Sequence, residues 1–167
     1  MLLTDGEVSV RDFVEKDIQN KIAWINNPEN NTYLHYNIPL EYEKTLAWFR
    51  GKDNLTREDC VIEYCGTPVG LIGLLSIDDA NRKAEFYISM GETTYKRRGI
   101  ATRASRLILK YASDTLRLRK IYLNVDEENA AACALYEKLG FVCEGVFIKD
   151  MLHRGKYINR KRYAIFL

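Results

Sequence analysis

The chain has 167 residues, a length typical of one globular domain with a substantial apolar core. Hydrophobic residues make up 47% and charged residues 29%, while 25 Lys and Arg against 23 Asp and Glu leave a net charge of only +2. Proteins that bind nucleic acids usually carry a stronger basic bias, so a positively charged site in this chain has to be local. We expect a single domain over residues 1–167 that does not bind nucleic acid.

The cysteines and the apolar segments exclude further classes. Cys60, Cys65, Cys133 and Cys143 show no CxxC spacing and lie in apolar runs, which predicts buried reduced thiols and no metal site. No window approaches the roughly 20 apolar residues of a membrane span, and the N-terminus has no apolar stretch of signal-peptide length. We therefore expect a cytoplasmic protein that does not bind membranes.

The front half is predicted to contain a strand, two helices and an antiparallel meander. Residues 8–13 suggest the strand, and isoleucines recur at helical spacing over 16–25. Pro28 ends that helix, because proline and the residue before it resist the helical conformation. A second helix is expected over 41–49. The period then changes to that of three strands with short connections, over residues 60–65, 69–77 and 84–90.

The back half alternates helices and strands. The clearest helix is predicted over 99–114, where one apolar stripe comprises Ile100, Ala104, Leu107, Ile108, Tyr111 and Ala112. A strand over 120–125, a helix over 129–139 closed by Gly140, and final strands over 141–151 and 157–167 follow. This order predicts an α+β fold whose mixed sheet has an antiparallel front and one parallel pair from a β-α-β crossover.

The segment YKRRGIAT brings cations and a glycine to the start of the clearest helix, as Lys96, Arg97, Arg98 and Gly99. The first turn of a helix has four unpaired N–H groups and the positive end of the helix dipole. Gly99 leaves room for a ligand near the backbone, and Ala101 and Thr102 suit a bound phosphate. The alternative is a solvated basic loop before an ordinary helix, since no P-loop and no GxGxxG pattern is present.

A second segment, NAAACALYEKLGF over residues 129–141, decides between these alternatives. Together the two segments resemble the acetyl-CoA signature of the GNAT superfamily of N-acetyltransferases. The first matches the family's [Q/R]xxGx[G/A] pattern over 96–101, with Lys96 where Gln or Arg is usual. The second matches NxxAxxLYxKLGF without a gap, through Asn129, Ala132, Leu135, Tyr136, Lys138, Leu139, Gly140 and Phe141.

The resemblance implies the GNAT fold, a central mixed and largely antiparallel sheet with helices on both faces. It implies that a β-bulge in the strand of residues 86–90 splays that strand from the strand of Leu123. Acetyl-CoA is the implied co-substrate, with pantetheine in the gap between these strands and its pyrophosphate on backbone N–H groups of the basic segment. The implied CoA-binding residues are Ile88, Met90, Lys96, Arg97, Arg98, Gly99, Ile100, Ala101, Thr102, Asn129, Ala132 and Tyr136. For Asn129 the alternative is a plain helix N-cap.

Two residues are implied to carry the chemistry. Tyr136 matches the tyrosine that protonates the departing CoA thiolate as a general acid, whereas its alternative role is to pack in the core. Glu85 is the candidate base acting through water, and its alternative is a structural carboxylate. Asn124 stands where some relatives have a glutamate base and cannot take a proton. Asp126 lies near the same strand end, where it could equally be a solvated loop charge.

The acceptor is predicted only in outline. The sequence resembles the branches that acetylate ribosomal-protein N-termini and nucleotide-linked amino sugars, and the loop of Tyr33, His35 and Tyr36 could stack on a sugar or base or pack in the core. We expect direct attack by a primary amine in a ternary complex, on a small amine or a nucleotide-linked amino sugar.

Several alternatives remain for the acceptor and the partners. They are the N-terminus of a protein, a non-catalytic acetyl-CoA-binding module, and a polyamine held by Glu41, Glu43, Asp78 and Asp79. The two long C-terminal strands make a homodimer plausible, because an exposed sheet edge readily pairs with another chain.

Overall fold

The computed structural model describes all residues 1–167 and folds them into an eight-stranded sheet with four helices. The strands are β1 (Leu2–Asp5), β2 (Val8–Asp12), β3 (Glu58–Tyr64), β4 (Thr67–Asp78), β5 (Lys83–Met90), β6 (Lys120–Asp126), β7 (Val142–His153) and β8 (Lys156–Phe166). The helices are α1 (Ile18–Asn26), α2 (Tyr42–Gly51), α3 (Ile100–Asp114) and α4 (Ala130–Leu139). None of these helices has the length and apolar character needed to cross a membrane.

The strands lie in the order β1-β2-β3-β4-β5-β6-β8-β7, and all neighbours are antiparallel except β5 and β6. The predicted α+β fold with one parallel pair is confirmed. Strand β1 was not predicted. It is a four-residue edge strand, mostly exposed, that pairs with β2 across a turn at Gly6. Such a short exposed strand buries too little apolar surface to leave an alternating pattern in the sequence.

Helices cover both faces of the sheet. On one face, α3 and α4 bury Ile108 and Tyr136 against strand residues such as Ile72 and Leu123. On the other face, α1 and α2 cover a smaller cluster that includes Ile18, Trp24 and Val61. Four of the six residues of the stripe predicted for α3 are buried, Ile100, Ala104, Ile108 and Ala112, while Leu107 and Tyr111 at its margin are half-buried.

The sheet is split between its two parallel strands. β5 and β6 pair over only three positions, the last joining Glu85 to Tyr122. Beyond that point β5 stays bound to β4 as far as Met90, and β6 stays bound to β8 as far as Asp126. The two strands therefore diverge toward their C-terminal ends.

The bulge expected in β5 lies in its neighbour instead. β5 runs in unbroken register on β4 from Glu85 to Met90, and the register shift falls between Leu75 and Asp78 of β4. Within that shift Ser76 adopts φ +48°, a left-handed conformation that turns the strand. The split between β5 and β6 is as expected, but the irregular residues beside it belong to β4 and not to β5.

The expectation of four buried thiols is wrong for two of them. Cys60 and Cys133 are buried, Cys65 and Cys143 are exposed, and all four are free. Cys65 follows the end of β3 in the turn to β4, with φ +49°. Cys143 lies on β7, whose outer edge pairs with no other strand.

Trp24 of α1 packs directly on Gly91, the residue after β5. A Cβ atom built on Gly91 would lie 2.1 Å from the indole, and Trp24 Nε1 donates a hydrogen bond to Glu92 Oε1 at 2.7 Å. This contact fixes α1 against the strand end from which the loop to α3 begins.

We expect Gly91→Ala to lower the free energy of unfolding by about 1–3 kcal/mol, the usual cost of overpacking, because the indole has to move. Gly51→Ala is the matched control. It lies at the end of α2, a Cβ there meets nothing within 4 Å, and it should be neutral or slightly stabilising. Urea unfolding of both variants measures the difference, and equal midpoints would contradict the tight Trp24–Gly91 contact.

Candidate active site

The divergence of β5 and β6 opens a cleft of about 910 Å³. Its walls come from β5, the first turn of α3, the end of β6, helix α4 and the loop that follows α1. The predicted CoA-binding residues all line this cleft except Arg98. Residues that the sequence places up to 48 positions apart, from Ile88 to Tyr136, therefore surround one cavity.

The N-terminal turn of α3 has free backbone donors. Gly99 caps the helix in the left-handed conformation, with φ +73°, and Arg103 is the first residue whose N–H finds an acceptor within the helix, the carbonyl of Gly99 at 3.1 Å. The N–H groups of residues 97–102 have no backbone acceptor. These donors, next to the positive end of the helix dipole, are suited to bind an anion such as a phosphate.

The three cations of this loop have different surroundings. Lys96 Nζ donates to Asn30 Oδ1 at 3.1 Å, so it ties the loop to the segment after α1. Arg97 lines the cleft with φ +64°. Arg98 is exposed, with its guanidinium 5.4 Å from the ring centroid of Tyr95. Lys96 and Arg97 therefore line the cleft together with the backbone, whereas Arg98 does not.

The free edge of β5 forms another wall. Gly91 N–H donates to the carbonyl of Val69 on β4 at 2.8 Å. Because backbone groups alternate sides along a strand, those of Met90 and Ile88 face away from β4, toward the open side. Opposite this edge, Asn129 caps α4 by accepting a hydrogen bond from Ala132 N–H at 3.2 Å, and it also lines the cleft.

Tyr136 combines core packing with access to the cleft. Its ring lies 5.9–6.3 Å from the rings of Phe141, Tyr163 and Phe86, and it is only 7% exposed. Burial, and to a lesser degree the nearby Cys133, raises the pKa of Tyr136 well above its ordinary value. The phenol therefore stays protonated at neutral pH, as a proton donor has to be.

Glu85 occupies the last paired position before the strands diverge. It is half-buried, lines the cleft and forms no ion pair or hydrogen bond with another side chain. Asn124 lies two residues beyond Tyr122 on the opposite wall, and its Oδ1 is buried with no hydrogen-bond partner. Both side chains are thus available to a second ligand beside the split.

A histidine pair at the far end of the cleft was missed by the sequence reasoning. His35 Nε2 lies 2.7 Å from Asp126 Oδ1, and His35 Nδ1 lies 3.1 Å from His153 Nδ1. Asp126 is only 6% exposed, so the alternative of a solvated loop charge is wrong. The two histidines are separated by 118 residues, and no short motif could have brought them together.

The loop after α1 is bound across this end of the cleft. Arg154 donates to the carbonyl and to Oδ1 of Asn31, both at 3.0 Å, and the Tyr33 hydroxyl donates to the carbonyl of Glu128 at 3.2 Å. Loop and β7–β8 hairpin together form a cover. On the other side of the cover lies a second cavity of about 430 Å³.

The four acidic residues expected to hold a polyamine do not line the cleft. Glu41 pairs with Lys44, and Asp78 accepts hydrogen bonds from Asn81 in a turn. The acidic residues that do line the cleft are Glu29, Glu85 and Asp126. The expected acidic pocket of Glu41, Glu43, Asp78 and Asp79 is therefore not part of this cleft.

Comparison with known proteins agrees with this geometry. Residues 7–142 match the family model described as an acetyltransferase (GNAT) domain. Spermidine N(1)-acetyltransferase of Escherichia coli K12 is 41% identical over 106 residues, which are 64% of this chain and 56% of that protein. The Vibrio cholerae enzyme of the same name is 33% identical over 144 residues, covering 84% of this chain and 83% of that protein.

A solved structure, the spermidine N-acetyltransferase of Vibrio cholerae in complex with CoA and spermine, superimposes with a TM-score of 0.87. It is 27% identical and covers 97% of this chain and 96% of its own. The chain belongs to the GNAT acetyltransferase family. The predicted family and fold are thereby confirmed, and the predicted enzyme class agrees with the names of these relatives. The chain matches only a little over half the length of the Escherichia coli relatives.

We expect Gly99→Val to weaken CoA binding at least tenfold. A side chain there covers the free N–H groups, and hydrogen bonds to charged groups contribute about 1.5–3 kcal/mol each. Gly66→Val is the matched control, because Gly66 has the same left-handed conformation (φ +77°) and open surroundings but lies in the β3–β4 turn. Titration calorimetry compares the two proteins, and equal Kd values for CoA would contradict the assignment of this helix start.

Proposed function

We propose that this protein transfers the acetyl group of acetyl-CoA to a primary amine of a small molecule, by direct attack in a ternary complex. The observation that carries the proposal is the cleft at the β5–β6 split. One end offers free N–H donors and Arg97 to an anion, and the other offers the unpaired carboxylate of Glu85 to a cation. Tyr136 lines the same cleft.

At the first end, the N–H groups of residues 97–102 bind the pyrophosphate. The free edge of β5 at Ile88 and Met90 binds the pantetheine arm through its backbone groups, and Asn129 and Ala132 border it from α4. Acetyl-CoA supplies the activated thioester. The extended arm follows the edge of β5, so the residues of this wall place the reacting carbon near the split.

At the split, Glu85 orients the amine and accepts its proton through water. An amine with a pKa near 10 is mostly protonated at neutral pH, and only its neutral form attacks a thioester. Tyr136 donates its phenolic proton to the departing thiolate. The amine loses two protons in all: Glu85 accepts the first before the attack, and the second, lost from nitrogen after the attack, replaces the proton of Tyr136. The raised pKa of Tyr136 keeps this donor loaded across the neutral range.

The acceptor class that we favour is a polyamine. The relatives at 41% and 33% identity are named spermidine acetyltransferases. The carboxylates of Glu29 and Glu85 on the cleft wall suit a chain of several positive charges, whereas Asp126 is already paired with His35. The hydrogen-bonded cover across the cleft also favours a small acceptor over a protein N-terminus, because a polypeptide needs an open groove on both sides of the reacting end.

A nucleotide-linked amino sugar is the second candidate. Nε of Arg160 is buried without a hydrogen bond, and Oδ1 of Asn124 is in the same condition on the paired strand β6. Both residues line the cleft, and an arginine donor with an amide acceptor suits a phosphate or a sugar hydroxyl.

A panel of amines separates these candidates. We expect spermidine to exceed a UDP-linked amino sugar and a peptide with a free N-terminus in kcat/KM by about tenfold to 10²-fold, since a charged hydrogen bond to the half-buried Glu85 contributes roughly 1.5–3 kcal/mol. Release of free CoA thiol measures the rate. A preference for the sugar nucleotide would establish the second candidate, and tight CoA binding without turnover on any amine would indicate a binding module.

We expect Tyr136→Phe to lower kcat by about 10²-fold or more, the range for a positioned proton donor, with the Kd for CoA nearly unchanged. Tyr163→Phe is the control, because its ring is 6.2 Å from Tyr136 but its hydroxyl donates to Glu137 instead of facing the cleft. In the same assay Glu85→Gln should reduce kcat more at neutral pH than at high pH, where a larger fraction of the amine is already neutral. Full activity of Tyr136→Phe would remove the acid assignment.

The predicted homodimer stays a prediction. The edge strand β7 supports it, because Val142, Ile148 and Leu152 are exposed apolar side chains on a strand with one unpaired edge. One related structure is described as a dodecamer, which shows that a protein of this fold assembles into larger complexes.

A further inference from the structure

The side chain of Tyr87 on β5 reaches across the neighbouring strand β4. Asp59, Gly73 and Tyr87 are direct partners in the antiparallel pairing of β3, β4 and β5, so the side chains of Asp59 and Tyr87 lie on the same face of the sheet. The Tyr87 hydroxyl donates a hydrogen bond to Asp59 Oδ1 at 2.9 Å. Together the two side chains bridge the two strand spacings, roughly 10 Å, between β5 and β3.

Gly73 provides the space for this bridge. A Cβ atom built on Gly73 would lie 2.8 Å from Cε1 and 2.9 Å from the hydroxyl oxygen of Tyr87. Both distances are shorter than van der Waals contact, and a glycine inside a strand often marks a place where another group approaches the backbone this closely. The phenol therefore lies low against β4.

The partner of the hydroxyl is itself fixed. Asp59 is buried, and its Oδ2 lies 2.7 Å from Arg57 Nε and 3.2 Å from Lys52 Nζ. Burial raises the pKa of Tyr87 well above its ordinary value, so the phenol remains a donor to Asp59 across the neutral range. The orientation of Tyr87 is therefore set before any substrate binds.

The rest of the Tyr87 side chain borders the cleft. Tyr87 is half-buried, lines the cleft and lies two residues beyond Glu85, on the same face of β5. Leu34 from the loop after α1 also lines the cleft, and both side chains pack against the apolar cluster under α1 and α2. The cleft therefore has an apolar wall on the side of the sheet that carries Glu85.

The charges near the phenol favour an uncharged part of a ligand. Arg57 and Lys52 share the single carboxylate of Asp59, so the hydroxyl end of Tyr87 has more positive than negative charge around it. A second ammonium group would be repelled there, whereas methylene groups gain free energy when they leave water for an aromatic ring. The fixed ring is thus suited to a carbon chain that extends from an amine beside Glu85.

We propose that Tyr87 is a specificity-determining residue, whose ring packs against the carbon chain next to the acceptor amine. The inference rests on the proposed function, in which Glu85 orients that amine. It adds the feature of the acceptor that the cleft selects, an aliphatic chain on the amino group, as in alkylamines and polyamines. Asp59 and Gly73 act through Tyr87 and are positioning residues.

A series of alkylamines measures this contact. From ethylamine to propylamine and butylamine, we expect kcat/KM of the wild-type protein to rise about fourfold with each methylene, the effect of one buried CH₂ group. Tyr87→Ala should flatten the series through KM with kcat nearly unchanged, because the ring binds the chain equally in the ground state and in the transition state. Tyr87→Phe keeps the ring and should retain the rise.

Tyr111→Ala is the matched control for the loss of a tyrosine. The Tyr111 hydroxyl also donates to a carboxylate, Glu58 Oε1 at 3.2 Å, but Tyr111 lies on α3 and does not line the cleft. This variant should keep the wild-type series. A series that stays equally steep in Tyr87→Ala, or that flattens equally in Tyr111→Ala, would overturn the role of Tyr87.

Nuclear Overhauser effects test the contact without turnover and without a variant that has to fold. In the wild-type protein saturated with CoA, we expect effects between the ring protons of Tyr87 and the methylene protons of added butylamine. Effects to other residues only, or none, would overturn the inference. Absence of turnover with every amine would overturn the proposed function, whereas turnover with no dependence on chain length overturns the role of Tyr87 alone.

Discussion

The site depends on the short pairing between β5 and β6. Parallel neighbours in a continuous sheet would remain hydrogen-bonded to their ends, and no ligand could enter between them. Here the pairing stops at Glu85 and Tyr122, and each strand continues on its other neighbour. The backbone groups left unpaired on β5 are satisfied only by solvent or by a ligand. One interruption in the sheet therefore provides the cleft, the free polar edge of β5 and, in the proposed function, the position at which the two substrates meet.

The packing of the core and the chemistry of the cleft are consequences of the same contacts. Phe86, Phe141 and Tyr163 enclose the ring of Tyr136 because they complete the apolar layer under α4. That enclosure removes water from the phenol and raises its pKa, which holds the proton on the oxygen. At the other end of the cleft, burial acts on a carboxylate. A buried carboxylate is unfavourable without a partner, and His35 from the distant loop binds Asp126 in that role.

The sequence predicted most of the fold and most residues of the cleft wall formed by β5, α3 and α4, but little of the far end of the cleft. The α3 stripe and the NAAACALYEKLGF segment carry their information locally, in periodicity and in contiguous motifs, so their positions could be read from the residues alone. The acceptor end consists of single residues from separate elements, such as His35, Asp126 and His153, and only the tertiary fold places them together. Acidic residues near the aromatic loop in sequence, such as Glu41, turned out to lie on the surface. The bulge on β4 was also missed, because Ser76 carries no signal of a left-handed residue.

Asn30 connects the two halves of the cleft through one amide group. Its Nδ2 donates to the carbonyl of Gly91 at 2.8 Å and its Oδ1 accepts from Lys96, so the loop that covers the acceptor and the loop that precedes α3 share this side chain. Neither loop can change its position without straining a contact of the other. A ligand that orders one loop therefore lowers the entropic cost of ordering the other. In the proposed function, acetyl-CoA and the acceptor each raise the affinity for the other by the same factor. The coupling through Asn30 acts in both directions, so either ligand, by fixing its own loop, favours the arrangement of the loop at the other end of the cleft.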